Sequence, residues 1–252
     1  MEKQEMNMMD KLSKMFNLDF QEPNDNIWLQ SAKTLSRIIG VLGMLLPLLL
    51  WLFLVIVNQY FKVLPSISHY YFTRSNVIFI IVVSLIAIFL LVYKKGKGGF
   101  FWSTIAAIGA LLLLLFPTNA ITQNCCDICD SVNIAHIENN SFRNIFHYIS
   151  AAIFLGSLAI MSLFVFTREN KDKLEFKPES CTPSKVTNQN VVYRVCGVIM
   201  VFSLLAIVVG SFDTNFKPIY EANNLTFWME VIAVEAFGFS WLVKGEAFFK
   251  SK

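Results

Sequence analysis

Five ionisable side chains with a neighbouring hydroxyl carry what chemistry this chain could do: His69, His147, Asp213, Glu230 and Glu235, beside Ser68. Imidazole and carboxylate are the ligand types of a zinc site, where three protein ligands plus an open position make a catalytic centre. They are also the groups of a proton relay. Spacing argues against a local metal motif, because no HxxxH or HExxH pair puts two ligands on one helical face. The metal reading therefore rests on His69, His147, Asp213 and Glu230 converging from distant segments. Against it stands a plainer reading, in which His69 and His147 bond loop carbonyls and Tyr70, Tyr71 and Tyr148 form an interfacial aromatic belt. Glu230 and Glu235 are five residues apart, so they point about 140° apart around a helix and serve different surroundings.

The stretch PSISHYYFTRSN, Pro65 to Asn76, concentrates serine, histidine, tyrosine and arginine where a few turn residues would suffice. Pro65 restricts the turn, and Thr73 or Ser75 is expected to cap the next helix by accepting from its first amides. Tyr70 and Tyr71 are expected to lie at headgroup level or over the mouth of the bundle, their hydroxyls reaching polar partners. Arg74 stands at a helix start, where the dipole disfavours a cation. It is expected to be compensated by Asp213, by Glu230 or by a bound anion. A binding surface drawn from this reading contains Ser68, His69, Tyr71, Arg74, His147, Asp213, Glu230 and Glu235. A third cluster, CCDICD, offers Cys125, Cys126 and Cys129 as disulfide candidates, and three thiols in one loop leave one over.

The elements that must position these residues are read from apolar runs. The chain is 252 residues long, 55% hydrophobic and 15% charged, with a mean hydropathy of +0.54. Soluble domains carry about 25% charged residues. Six runs approach the roughly 18 or more residues that cross a bilayer core: 37–58, 76–93, 100–116, 145–166, 195–212 and 225–243. Pro47 lies inside the first. Seventeen of the 21 Lys and Arg fall on one side of such a bundle, and only Lys62, Arg74, Arg143 and Lys217 on the other. That asymmetry puts both termini in the cytosol and His69, His136 and His147 on the outer side.

The expected architecture is therefore all-α and polytopic, with six transmembrane helices. An N-terminal cytosolic segment, 1–34, precedes the bundle of 35–245, and a short cytosolic tail covers 246–252. Within the first segment Met8, Leu12 and Met15 recur at i, i+4 and i+7, the pattern of an amphipathic helix lying on the inner leaflet. RENKDKLEFKPESCTPSK, from Arg168, reads as a solvated cytosolic loop. The net charge of +3, polarised in this way, fits a membrane protein and not a nucleic-acid binder.

Several fragments together resemble one family. They are PSISHYYFTRSNVIF, LFPT, HYISAAIFLGSLA, VYRVCGVIM and FWMEVIAVEAFGFSWLVKGE. As a set they are similar to an uncharacterised family of bacterial multipass membrane proteins, over most of the chain from the first helix onward. The family's SISxYYxT block falls on Ser66, Ile67, Ser68, Tyr70, Tyr71 and Thr73, and its helix-four histidine on His147. Its C-terminal block falls on Trp228, Glu230, Gly238, Ser240, Trp241, Lys244, Gly245 and Glu246. Relatives often carry His at the position of Phe72 and Asp at that of Asn76, so catalytic groups there would be missing here. More distantly, the Ser-plus-His entry to the second run resembles alkaline ceramidase-like membrane hydrolases. Those have seven helices and three zinc-bound histidines, and the seventh helix with its paired histidines has no counterpart in this sequence. The resemblance implies a bacterial inner-membrane protein and no established activity.

Three functions are expected on these grounds. The first is an outward-facing polar cavity that binds a small ligand or lipid. The second is an intramembrane metal-dependent hydrolase of lipid amides or esters. The third is an accessory subunit that docks on a membrane partner, for which Gly40 and Gly43 in one helix and Gly156 and Ser157 in another would allow close approach. The sequence leaves the cofactor open.

Overall fold

In a computed structural model, the described residues are 25–93, 96–119, 132–135, 137–176 and 183–247. The chain divides into two units, Met1–Ser31 and Ala32–Lys252. Of the first, only the helical run from Asp25 is described, and the expected amphipathic helix at Met8–Met15 lies outside the described residues. So do Cys125, Cys126, Cys129 and His136.

Every apolar run becomes a helix. They are α1 (Asp25–Asn58), α2 (Asn76–Val92), α3 (Gly96–Leu115), α4 (Ser141–Ile160), α6 (Pro183–Phe212) and α8 (Leu225–Lys244). Two further helices, α5 (Phe166–Phe176) and the short α7 (Lys217–Ala222), a 3-10 turn at Ile67–Phe72 and a π turn at Met161–Val165 complete the described elements. Five helices are long and apolar enough to cross a membrane, and α2 is a shorter apolar helix of 17 residues. At 1.5 Å per residue α2 spans about 25 Å, somewhat less than a hydrocarbon core of about 30 Å. Outward faces are apolar as well as inward ones: Ile56, Leu115 and Phe202 are each two-thirds or more exposed. Such all-round apolarity suits hydrocarbon as the solvent. α1 continues through Pro47 without a break.

Small residues set the closest crossings. A Cβ placed on Gly40 of α1 would lie 2.7 Å from the Gly238 carbonyl oxygen of α8. On Gly109 of α3 it would lie 2.8 Å from the Phe154 amide nitrogen of α4. α8 packs chiefly on α6, and α3 on α4 and α2.

The expected loop after Arg168 is mostly helix. α4 runs through a wide π turn at Met161–Val165 directly into α5, and Pro183 opens α6. Glu, Lys and Arg are good helix formers, so polar composition alone did not make this segment a loop. Proline is tolerated in a first turn because its missing N–H would be unpaired there anyway. A π turn holds one extra residue, and so rotates the downstream helix face by about 100°. In the structure that places Asn170 against Gln189 and Asn190 and aims Glu169 at Lys244. An aromatic group of Tyr93, Phe166, Tyr193, Phe237 and Trp241 surrounds this end of the bundle.

Candidate functional site

The site begins with a carbonyl that the sequence sets free. Pro117 stops α3, so the Phe116 carbonyl makes no further helical bond and faces α4 instead. α4 starts at a fixed point because the Asn140 side chain accepts from the Arg143 amide at 3.1 Å. One and two turns on, three side chains of α4 staple the exit of α3. Arg143 Nε donates to the Pro117 carbonyl at 3.1 Å, and Asn144 Oδ1 accepts from Thr118 Oγ1 at 3.0 Å. His147 Nδ1 meets the Phe116 carbonyl at 2.9 Å.

That last contact decides the tautomer. A carbonyl only accepts, so Nδ1 carries the proton and Nε2 offers a lone pair. Nε2 lies 3.0 Å from Ser68 Oγ, so the serine hydroxyl donates to it. Ser68, His147 and the Phe116 carbonyl thus form a chain of hydroxyl, base and orienting acceptor, the order found where a serine is activated as a nucleophile. Here both side chains are buried, Ser68 at 8% exposure and His147 at 3%. The hydroxyl is spent on the tie and shut away from solvent.

Two further contacts hold the same segment. Ile67 is the first residue of the 3-10 turn, and its amide donates to Glu230 Oε2 of α8 at 2.5 Å. Glu230 is in effect a cap supplied from another helix, placing a carboxylate where unpaired amides gather. Ser66 Oγ bonds His69 Nδ1 at 2.6 Å. Downstream, Phe72 accepts from the Ile134 amide at 2.9 Å, beside an isolated bridge between Thr73 and Asn133. Tyr70 and Phe72 are completely buried. Tyr71 packs edge-on against Phe72 and Phe79. The segment is an ordered plug filled with side chains.

No family model matches this chain, and neither a curated protein nor a solved structure is significantly similar to it.

Of the eight expected surface residues, the structure brings together Ser68, His69, His147 and Glu230, and packs Tyr71 beside them. Arg74 does not join. It is exposed and has no hydrogen bond or ion pair among the described residues, because its neighbours Thr73 and Ser75 both turn inward at 0% exposure. Asp213 also stays apart: its Oδ1 accepts from the amides of Asn215 at 2.8 Å and Phe216 at 3.4 Å, closing the turn after α6. The capping expectation is corrected too. Ser75 Oγ donates to the Leu50 carbonyl of α1 at 3.0 Å, and Thr73 Oγ1 accepts from the Ser75 amide, one residue before α2. Among the described residues no three His, Cys, Asp or Glu side chains come close enough to hold a metal ion. His69, His147, Asp213 and Glu230 therefore do not converge as a ligand set.

Glu235 points elsewhere, as its spacing from Glu230 requires. It enters a cleft of about 560 Å³ lined by Met44 of α1, Val191, Val195, Cys196 and Ile199 of α6, and Ile232 and Phe239 of α8. The cleft is apolar apart from this carboxyl, which has no hydrogen bond or ion pair among the described residues. Cys196, on the wall of this cleft, is a buried free thiol. Sequence reasoning missed the parts played by Phe116, Arg143 and Asn144. Pro117 was the available signal, since it marks where carbonyls lose their helical donors.

His69 gives this end of the bundle a pH dependence. Burial, reinforced by the neighbouring His147, pushes its imidazole down to about 4 from 6.5. The sign comes from proton binding: between those values the unfolded chain holds the proton and the folded chain does not. Stability is complete above about 6.5 and falls as pH drops towards 4, with a total loss on the order of 2–3 kcal/mol. Unfolding of the detergent-solubilised chain at pH 7 and pH 4.5 should show this loss. His69→Gln should remove that part of the pH dependence, and an unchanged profile in the variant would assign it to other groups.

Proposed function

We propose that this chain is a six-span bacterial inner-membrane protein that binds a hydrophobic small molecule carrying an amine or hydroxyl. The ligand would lie in the Glu235 cleft. The observation that carries this reading is a lone carboxyl in an otherwise apolar cleft at mid-helix. Insertion of an acid at a helix centre costs about 2.5–3.5 kcal/mol, and intramembrane acids accordingly mark functional positions. A ligand with one donor and an apolar body satisfies both the carboxyl and the walls. The plug at Ser68–His147 supports a lateral site, because the polar residues expected to line an outer cavity bond one another. Counting α2 as a sixth span, and the Lys- and Arg-rich end as cytosolic, rests on the apolar run of α2 and on the charge asymmetry.

The two other readings draw less support. A metal-dependent hydrolase needs a ligand set, and among the described residues no three candidates are placed to hold one ion. Docking to a partner through Gly40 and Gly43 competes with a use already visible, since α8 occupies that face of α1.

The test is thermal unfolding of the purified full chain with dodecylamine as the probe. Wild type should gain about 2.7 kcal/mol at a hundredfold excess of probe over its Kd. Glu235→Leu should gain little. Equal stabilisation of both proteins would sink the reading.

A further inference from the structure

A second cavity, of about 640 Å³, lies between the end of α4, α5 and α6, away from the Glu235 cleft. Its charged lining is entirely cationic: Arg168 and Lys171 from α5 and Arg194 from α6. All three are exposed, and none has an ion pair or hydrogen bond among the described residues. The acid next in sequence, Glu169, turns away to meet Lys244 at 2.5 Å. Three like charges around one hollow repel each other unless something anionic enters.

The rest of the lining says what kind of anion. Phe164 in the π turn and Arg168 and Lys171 on α5, at i, i+4 and i+7, line the hollow in chain order, so this side passes from apolar to basic. On α6, which runs the other way, Val198 and Arg194 stand at the same i, i+4 relation and show the same gradient. Phe164 and Val198 are 65% and 60% exposed, so the apolar part of the hollow is open. Leu163 forms its floor, and Gly197 lets α6 come that close, since a Cβ there would lie 2.4 Å from Leu163 Cγ. Both helices thus change from hydrocarbon-like to basic in the same direction along the bundle. A free phosphate or an acidic peptide would use the cations and leave the apolar part wet. A phospholipid uses both.

We propose that Arg168, Lys171 and Arg194 hold the phosphate of an anionic phospholipid, whose acyl chain lies on Leu163, Phe164 and Val198. Guanidinium groups match phosphate oxygens in geometry as well as charge, which suits a hollow lined by one arginine from each of two helices. Basic pockets between membrane helices are a recurrent form of headgroup recognition.

The experiment is native mass spectrometry of the full chain, after equilibration in detergent with equimolar phosphatidylglycerol and phosphatidylcholine. Wild type should retain phosphatidylglycerol in preference to phosphatidylcholine. Each basic residue near an anionic lipid surface contributes about fivefold in affinity, so Arg168→Gln with Arg194→Gln should lower that retention about 25-fold. Arg74→Gln, at the far end of the bundle and equally exposed, should leave it unchanged. Each single variant, expected to lose about fivefold, serves if the double variant does not purify. The proposal falls if wild type shows no preference, or if the variants bind phosphatidylglycerol as wild type does. It falls also if millimolar inorganic phosphate displaces the lipid, which would make the site one for a bare anion. Glu235 lies outside this hollow, so Glu235→Leu should bind phosphatidylglycerol normally whatever the outcome with dodecylamine.

Discussion

Glu169→Leu is expected to destabilise the protein by about 3–5 kcal/mol, and Lys244→Met by a similar amount. Their ion pair measures 2.5 Å, with side-chain exposures of 16% for Glu169 and 2% for Lys244. The ammonium also lies 4.6 Å from the centre of the Phe166 ring, within cation–π reach. Removing the carboxylate leaves a buried ammonium with a ring and without its closest counter-charge. Removing the ammonium takes a cation from the carboxylate beside the aromatic group that holds Tyr93 and Tyr193, both within its electrostatic reach. The pair itself need not be a net gain, since desolvating two charges costs several kcal/mol each. The double variant is therefore expected to recover most of the loss. Unfolding in mixed micelles, followed by tryptophan fluorescence, reads all four corners of the cycle. Single losses below about 1 kcal/mol would reduce the pair to an ordinary surface bridge.

This pair also shows where reading the sequence stopped. The apolar runs located all six helices, because hydrophobic length is a local property that one strand of text carries, but α1 and α6 each begin twelve residues before their runs, in polar sequence. Arg168 to Lys185 was read as loop for the same reason: its charges are local and visible. What they do is not local. Glu169 meets Lys244 across 75 residues, and it faces inward only after the π turn at Met161–Val165, which no composition announces. The site divides along the same line. Pro117 was legible as a helix stop, whereas the cap at Asn140 lies before the run read from 145, and Ser68 meeting His147 depends on how distant segments pack. Arg74 misled because a cation at a helix start suggests a partner, while the inward turn of Thr73 and Ser75 leaves it in solvent. Glu230 and Glu235 were separable from their spacing alone, and the structure gives each its own surroundings.

Gly238→Ala is expected to lose about 1–3 kcal/mol, although alanine is the better helix former. The added Cβ would lie 2.4 Å from Met44 Cγ, 2.7 Å from the Gly40 carbonyl oxygen and 3.0 Å from the Met44 amide nitrogen. The methionine side chain can swing aside. The two backbone atoms move only if α1 and α8 separate. Gly156→Ala is the matched control, since a Cβ on Gly156 of α4 meets nothing within 4 Å. Helix propensity credits both substitutions alike, with up to about 1 kcal/mol. The difference between them therefore isolates the α1–α8 crossing. Gly156→Ala should be neutral or slightly stabilising, and equal unfolding midpoints for the two variants would mean that the crossing is not tight. The crossing matters beyond stability. Met44 stands against Gly238 and also lines the Glu235 cleft, one turn along α8. Separating the helices at Gly238 should loosen that wall, so Gly238→Ala should weaken dodecylamine binding even with Glu235 intact, while Gly156→Ala leaves it unchanged.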